Sequence, residues 1–392
     1  MVVQGGGPSP VLNVTLASIV EESRRHARIG KVYGARAGVM GLIRGEVADL
    51  SELPGEQLER LRKSPGTALG SSRAMATGAD LERVGETLRR FRVRYLLFCG
   101  GNGTMMGAQA IARWCRDANY EVQLIGVPKT IDNDIAQTDR CPGYATAARY
   151  IAQSTRDLGM DIRALPQPVS ILETMGRGVG WVAAAAAAAK RDADDAPHLV
   201  YIPEVAFEMG RFLTDLDRVV AKQGWAVVVV SEGIRDGEGR LIYQTADPSQ
   251  MDALRRPLTG GVGQFLAETV ARELKFRCRS EKPGLLGRAS MLHASERDVV
   301  DADLVGRQGV LALLAGETEK MVSLCPLGGG ASWKLVVLGE VGGTEREIPR
   351  EWTDDGPAAV NDGFLDYVRP LIGELLDYHA PLSFGPAGEE KL

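Results

Sequence analysis

The residues best suited to chemistry lie in one short stretch, Pro128-Lys129-Thr130-Ile131-Asp132-Asn133-Asp134. It supplies a cation, a hydroxyl and two carboxylates. In an extended segment, Asp132 and Asp134 alternate with Ile131 and Asn133 and so share one side. Two like charges that close require a cation, or one of them must act as a base. A surface loop with an Asx turn would account for Asp-Asn-Asp alone. The adjoining lysine and the preceding run Val122-Gln123-Leu124-Ile125 weigh against that reading. The run reads as a buried parallel strand, and such a strand delivers the residues after it to the carboxyl edge, where open α/β sheets bind ligands.

Around that loop the chain alternates short apolar strands with amphipathic helices, which implies a doubly wound α/β architecture. Residues 1–4 read as a strand that Gly5-Gly6-Gly7-Pro8-Ser9-Pro10 turns into a helix over 11–26, with Leu12, Leu16, Ile19 and Val20 at helical spacing. Residues 31–35 read as a further strand, followed by an acidic stretch through Leu61 without a clear pattern. A helix over 80–92 and a strand over 95–99 lead into a second glycine turn, Gly100-Gly101-Asn102-Gly103-Thr104-Met105-Met106-Gly107-Ala108, and a helix over 105–118. Glycine between strand and helix lets phosphate oxygens approach the backbone at a positive helix end. Each turn alone is a weak signal, but two of them beside the lysine loop form a constellation. No GxxxxGK[ST] occurs, and Gly101, Gly103 and Gly107 do not have GxGxxG spacing, which argues against a P-loop protein and a nicotinamide-dependent oxidoreductase.

After Pro142 the alternation restarts with a helix over 145–158, a strand over 169–172, a glycine-rich turn from Glu173 to Gly180 and a nearly pure alanine helix. Strands over 198–202 and 226–230 flank a helix over 207–222, and the second strand ends in Ser231-Glu232-Gly233. The loop at 67–73 ends in Arg73, which suits a phosphate or a solvated face equally well. Residues 275–288 carry five cations; Pro283-Gly284 breaks any helix there, so they stand on loop and strand ends able to clamp a sugar phosphate. Helix 296–314, strands 321–324 and 334–338 and a polar helical tail complete the pattern.

A chain of 392 residues is long enough for two domains, and 44% hydrophobic with 25% charged residues describes an ordinary globular protein. A net charge of -5 gives no phosphate-backbone footprint, so nucleic acid is not an expected partner. The five scattered cysteines suit free thiols in a reducing cytoplasm, and the four dispersed histidines do not suggest a metal centre. No signal peptide or membrane span is expected.

Gly5-Gly6-Gly7-Pro8 with Asn13, Gly70 to Arg73, Gly100 to Thr104, Pro128 to Asp134, Met175-Gly176-Arg177, Ser231-Glu232-Gly233 and residues 282–290 occur in the order of the phosphofructokinases. The chain resembles that family, specifically its pyrophosphate-dependent and mixed-donor group. The resemblance implies two Rossmann-like domains with the active site between them: 1–142 for the phosphoryl donor, completed by part of 284–340; 143–283 for fructose 6-phosphate; and a C-terminal extension, 341–392. It implies Asp132 as general base on the sugar's 1-hydroxyl, helped by Lys129 and Thr130, and Mg²⁺ held by Asp134 and Asn102. Gly7, Arg73, Asn102, Gly103, Thr104 and Gly107 match donor positions; Thr130, Met175, Gly176, Arg177, Glu232, Arg279 and Arg288 match sugar-phosphate positions. Arg279 would come from a neighbouring subunit of a homodimer or homotetramer.

The donor is narrowly balanced. Pyrophosphate users typically carry Asp where Gly103 stands, and that glycine leaves room for the α-phosphate of ATP. Lys129 points to pyrophosphate, where it would neutralise the leaving phosphate. The expectation is ATP by a narrow margin, with pyrophosphate as the alternative. Asn102 replaces an Asp common in the family, which keeps open a catalytically weak, sugar-phosphate-binding regulatory homologue. Leu285 replaces a common sugar-binding His, and no counterpart of the bacterial effector site is evident.

Overall fold

The computed structural model describes residues 1–164, 168–244 and 260–379. Its larger sheet is built from β1 (Val2–Gln4), β2 (Tyr33–Ala35), β3 (Val47–Asp49), β4 (Tyr95–Gly100) and β5 (Gln123–Pro128). The smaller sheet holds β6 (Val169–Thr174), β7 (Leu199–Tyr201), β8 (Ala226–Ser231) and β9 (Cys278–Glu281). The chain then returns to the larger sheet with β10 (Lys320–Leu324) and β11 (Trp333–Val337).

The larger sheet runs β11-β10-β5-β4-β1-β2-β3, and only its edge strands β3 and β11 are antiparallel to their neighbours. Period-2 alternation divides its apolar residues between two faces. Leu96 and Phe98 join Val3, Leu88 and Met105 on one; Leu97 and Cys99 join Val2, Leu16 and Ile125 on the other. The strand order reverses direction between β1 and β4, so the connections leave on opposite sides and a crevice opens at their carboxyl ends. Both glycine turns lie there. The smaller sheet, β7-β8-β6-β9, is wholly parallel and presents its own carboxyl ends at Thr174 and Ser231.

Several elements differ from the sequence expectation. The patternless stretch before Leu61 contains the helix Val39–Arg44, β3 and the helix Gly55–Arg62. The helix after β4 begins at Asn102, three residues earlier than periodicity indicates, because Gly101 adopts an extended N-cap geometry directly after the strand. The alanine run is a short α-helix, Trp181–Ala184, that tightens to a 3₁₀ helix over Ala185–Ala189. Every alanine from 183 to 189 is buried, packed beside the helix Tyr144–Ala164. The C-terminal helix Asp362–Ile372 is not polar throughout. It buries Phe364, Val368, Leu371 and Ile372 around the fully buried Trp181. The last part of the expected extension, 380–392, lies outside the described residues. Among the described residues no helix is long and apolar enough to cross a membrane.

Candidate active site

The two glycine turns meet at the β1–β4 crevice because neither carries side chains to keep them apart. A Cβ on Gly5 or Gly100 would come within 2.3 or 2.2 Å of Thr104 Oγ1. Thr104 is therefore turned into the crevice and seats its helix against both turns. The loop before Arg73 is zipped onto the first turn, with Ser71 Oγ donating to the Gly6 carbonyl at 2.6 Å and Gly6 N–H donating to Ser72 O at 3.1 Å. Gly6 has a φ of +77°, which a side chain would strain. Gly103 and Gly107 have no atom within 4 Å of a Cβ position, so open space lies above the first turns of this helix.

Two cations, Lys129 and Arg288, meet at that cradle, and the exposed Arg73 lies near enough to act on Arg288. Lys129 is buried and its Nζ donates to the Gly7 carbonyl at 2.5 Å. Arg288 Nη1 lies 2.5 Å from where a Cβ on Gly7 would stand. Burial first, then the charge of Arg73, hold the Arg288 guanidinium below its ordinary pKa. Burial brings Lys129 down to about 8, with Asp132 opposing and Arg288 adding to the fall. Cations gathered around bare backbone, repelling one another, form a site for an anion.

The loop from Lys129 to Asp134 leaves β5 and turns at once. Thr130 Oγ1 accepts from Asp132 N–H at 3.1 Å, and Thr130 pairs with Gly143 as an isolated parallel bridge. The alternation expected of an extended segment is not what aligns the carboxylates. Asn133 takes a left-handed φ of +57°, so a turned peptide stands between Asp132 and Asp134. They nonetheless act on each other. Burial raises Asp132 to about 7, and Asp134, Glu232 and Glu345 add to that rise while Lys129 opposes it. A carboxylate poised there suits a general base near neutral pH.

Asn102 and Asp134 form the second half of this loop's chemistry. Asn102 Nδ2 donates to the Asp134 carbonyl at 3.0 Å and to Asp134 Oδ2 at 3.1 Å. That leaves Asn102 Oδ1 and Asp134 Oδ1 buried, and neither has a hydrogen-bond partner among the described residues. Two orphaned buried oxygens on side chains bonded to each other fit Mg²⁺, which takes one or two protein oxygens and completes its shell with water and phosphate.

The loop carrying Met175, Gly176 and Arg177, the candidate sugar loop, is assembled on the smaller sheet. Ser231 Oγ donates to the Gly176 carbonyl at 2.6 Å, and a Cβ on Gly233 would fall 2.0 Å from Arg177 O. Met175, Gly176 and Arg177 are thereby locked against Glu232. Ile131, Thr174, Met175, Pro283, Gly284 and Gly287 line a shallow cleft between this loop and the loop after β5. Arg279 is not brought to it. It faces solvent on the edge strand β9 opposite Ser170, four residues short of Thr174, or roughly 13 Å from the sheet's carboxyl edge. Leu285, where a His was a family alternative, is 63% exposed.

Sequence reasoning missed three contributors. Glu345 reaches the sugar loop, its Oε2 lying 2.1 Å from a Cβ position on Gly178. Arg346 N–H donates to the Asp134 carbonyl at 2.8 Å. Glu173, buried at the end of β6, accepts from Gly261 and Gly263 N–H and pairs with Lys282 at 2.8 Å, fixing a helix start and the chain before Arg288. Glu173 was legible as an acid at a strand end; Glu345 and Arg346 carried no local signal, since they arrive from about 170 and 210 residues away.

Comparison with known proteins agrees with this geometry. The family model described as Phosphofructokinase matches residues 1–313. A pyrophosphate–fructose 6-phosphate 1-phosphotransferase of Xanthomonas campestris pv. campestris is 36% identical, covering 99% of this chain and 94% of the relative. That of Rhodospirillum rubrum is 33% identical, covering 95% and 94%. The crystal structure of a pyrophosphate-dependent phosphofructokinase from Marinobacter aquaeolei superposes with a TM-score of 0.84 at 31% identity, covering 99% of this chain and 93% of that one. Matched nearly from end to end in sequence and in fold, the chain belongs to the phosphofructokinase family.

Proposed function

We propose that this protein is a Mg²⁺-dependent phosphotransferase that moves a phosphoryl group from pyrophosphate to O1 of fructose 6-phosphate. Asp132 takes the proton of the 1-hydroxyl as the O1–P bond forms. The bridging O–P bond of pyrophosphate breaks, and inorganic phosphate leaves beside Lys129, Arg288 and Arg73. Thr130 fixes the loop that carries Asp132; Met175, Gly176, Arg177 and Glu232 hold the sugar phosphate. Asp134 and Asn102 would hold Mg²⁺, which when bound neutralises charge on the phosphates.

The carrying observation is Lys129, a buried ammonium inside the glycine cradle and within the field of Asp132. It reverses the narrow preference for ATP drawn from Gly103. Open space above Gly103 permits the rest of a nucleotide but recognises none of it, whereas a buried cation is a specific contact for a departing phosphate. The Xanthomonas and Rhodospirillum relatives, both named for pyrophosphate, support the same donor. ATP remains the second reading because that space is real.

The test is initial rates at fixed fructose 6-phosphate with Mg²⁺ and either donor. Pyrophosphate should give the higher kcat/KM. A clear ATP preference overturns the donor assignment, and no turnover with either donor overturns the enzyme. Asp132→Asn should lose about 10³-fold or more in kcat while keeping its folded circular-dichroism signature.

A further inference from the structure

The peptide between Asp132 and Asp134 turns in the left-handed region, which Asn tolerates better than most side chains but which is uncommon outside glycine. Asn133 is fully buried, has a φ of +57° and is not glycine. Because the residue is fully buried, its polar groups need partners within the protein. Its Oδ1 accepts from Cys141 N–H at 2.9 Å, a bond made within the same loop. All its other polar groups for which bonds are described are held by the C-terminal segment. Asn133 Nδ2 donates to Tyr367 Oη at 2.8 Å, and Tyr367 Oη donates onward to the Asp139 carbonyl at 2.9 Å. Arg346 Nη1 donates to the Asn133 carbonyl at 3.3 Å, while its backbone N–H holds the Asp134 carbonyl.

The bracket is itself rigid. The Arg346 guanidinium lies 4.1 Å from the centre of the Trp181 ring, and Trp181 Nε1 donates to Arg346 O at 2.9 Å. Trp181 is fully buried and packs 5.3 Å from the Tyr367 ring. One immobile indole thus fixes both residues that reach the loop.

We propose that Arg346 and Tyr367 are positioning residues that hold the Asn133 peptide in its left-handed turn. In that turn Asp132 faces the sugar's hydroxyl while Asp134 stays bonded to the Asn102 side chain. This rests on the proposed phosphotransfer and adds to it a part of the chain that carries no substrate contact of its own. A relaxed Asn133 swings the two carboxylates apart, which spoils proton removal and metal retention but leaves the sugar loop and phosphate cradle intact.

The decisive variants are Tyr367→Phe, which removes one hydroxyl and keeps the ring packing, and Tyr367→Phe combined with Asn133→Gly. Tyr367→Phe should lower kcat 10- to 100-fold with KM for fructose 6-phosphate and pyrophosphate within about threefold of wild type. It should weaken Mn²⁺ binding, read by electron paramagnetic resonance, at least fivefold. Glycine adopts the turned conformation without a bracket, so the double variant should recover most of the Mn²⁺ affinity and part of kcat. Unchanged kcat and Mn²⁺ binding in Tyr367→Phe, or a loss that Asn133→Gly does not relieve, overturns the proposal. If wild type turns over no substrate, the functional reading fails, and the Mn²⁺ comparison still decides the bracket.

Discussion

Replacing Lys129 by methionine tests the donor cradle most directly. Methionine keeps most of the length and volume of the side chain and removes the charge. A unit charge about 4 Å from a phosphate oxygen, at the effective dielectric of 20 that suits such sites, is worth about 4 kcal/mol. Lys129 sits on the Gly7 carbonyl, so a phosphate in the cradle would lie at about that distance. With its pKa near 8 the ammonium is mostly protonated at pH 7, and a bound phosphate holds the proton more tightly. The loss falls on the leaving phosphate, whose charge grows in the transition state, so kcat with pyrophosphate should fall by about 10³-fold. Arg288 and Arg73 remain and soften the effect, which sets a floor of about a hundredfold. The protein should not be much less stable, because burial already disfavours the Lys129 charge more than Asp132 favours it. The assay is release of inorganic phosphate at saturating fructose 6-phosphate, alongside thermal unfolding. A kcat within tenfold of wild type in a folded variant would refute the placement of Lys129 on the departing phosphate.

Two further outcomes are expected. Gly103→Asp adds a carboxylate where nothing lies within 4 Å, so it should fold normally, suppress ATP use and spare pyrophosphate use; unchanged ATP kinetics would show that a nucleotide does not cross this position. His198 is buried, and its Nδ1 accepts from Val227 N–H at 2.9 Å, which protonation would oppose. Burial lowers its pKa from 6.5 to about 4, so between those values the unfolded chain binds the extra proton and stability falls as the pH falls. Relative to His198→Gln, the wild type should lose roughly 3 kcal/mol more between pH 7 and 4 in urea melts; parallel pH profiles would refute this.

Local pattern carried the parts of the site that are local. Thr130 to Asp134, both glycine turns and Met175-Gly176-Arg177 each come directly after a strand, so a short apolar run and its polar sequel were enough to put them at sheet edges. Where position depends on a distant partner, the pattern was silent or misleading. The turn at Asn133 is bonded by Tyr367 and Arg346 from far along the chain as well as by Cys141, and alternation within the loop gave the wrong geometry for Asp132 and Asp134. The pattern likewise gave no sign that the Thr104 side chain packs against Gly5 and Gly100. The helix Asp362–Ile372 looks solvated until Trp181 is found beneath it. The alanines tighten to a 3₁₀ helix under contacts that no propensity scale registers.

The order in which the chain visits its two sheets has a consequence for how it is made. β10 extends the sheet begun by β1, yet some 190 residues and the whole smaller sheet separate β10 from β5, the strand it pairs with. During synthesis the amino-terminal half therefore leaves the ribosome with one edge of β5 unpaired, an exposed template for the wrong partner until the late strands emerge. Stop codons anywhere before residue 320 should yield insoluble fragments, not a shortened working half.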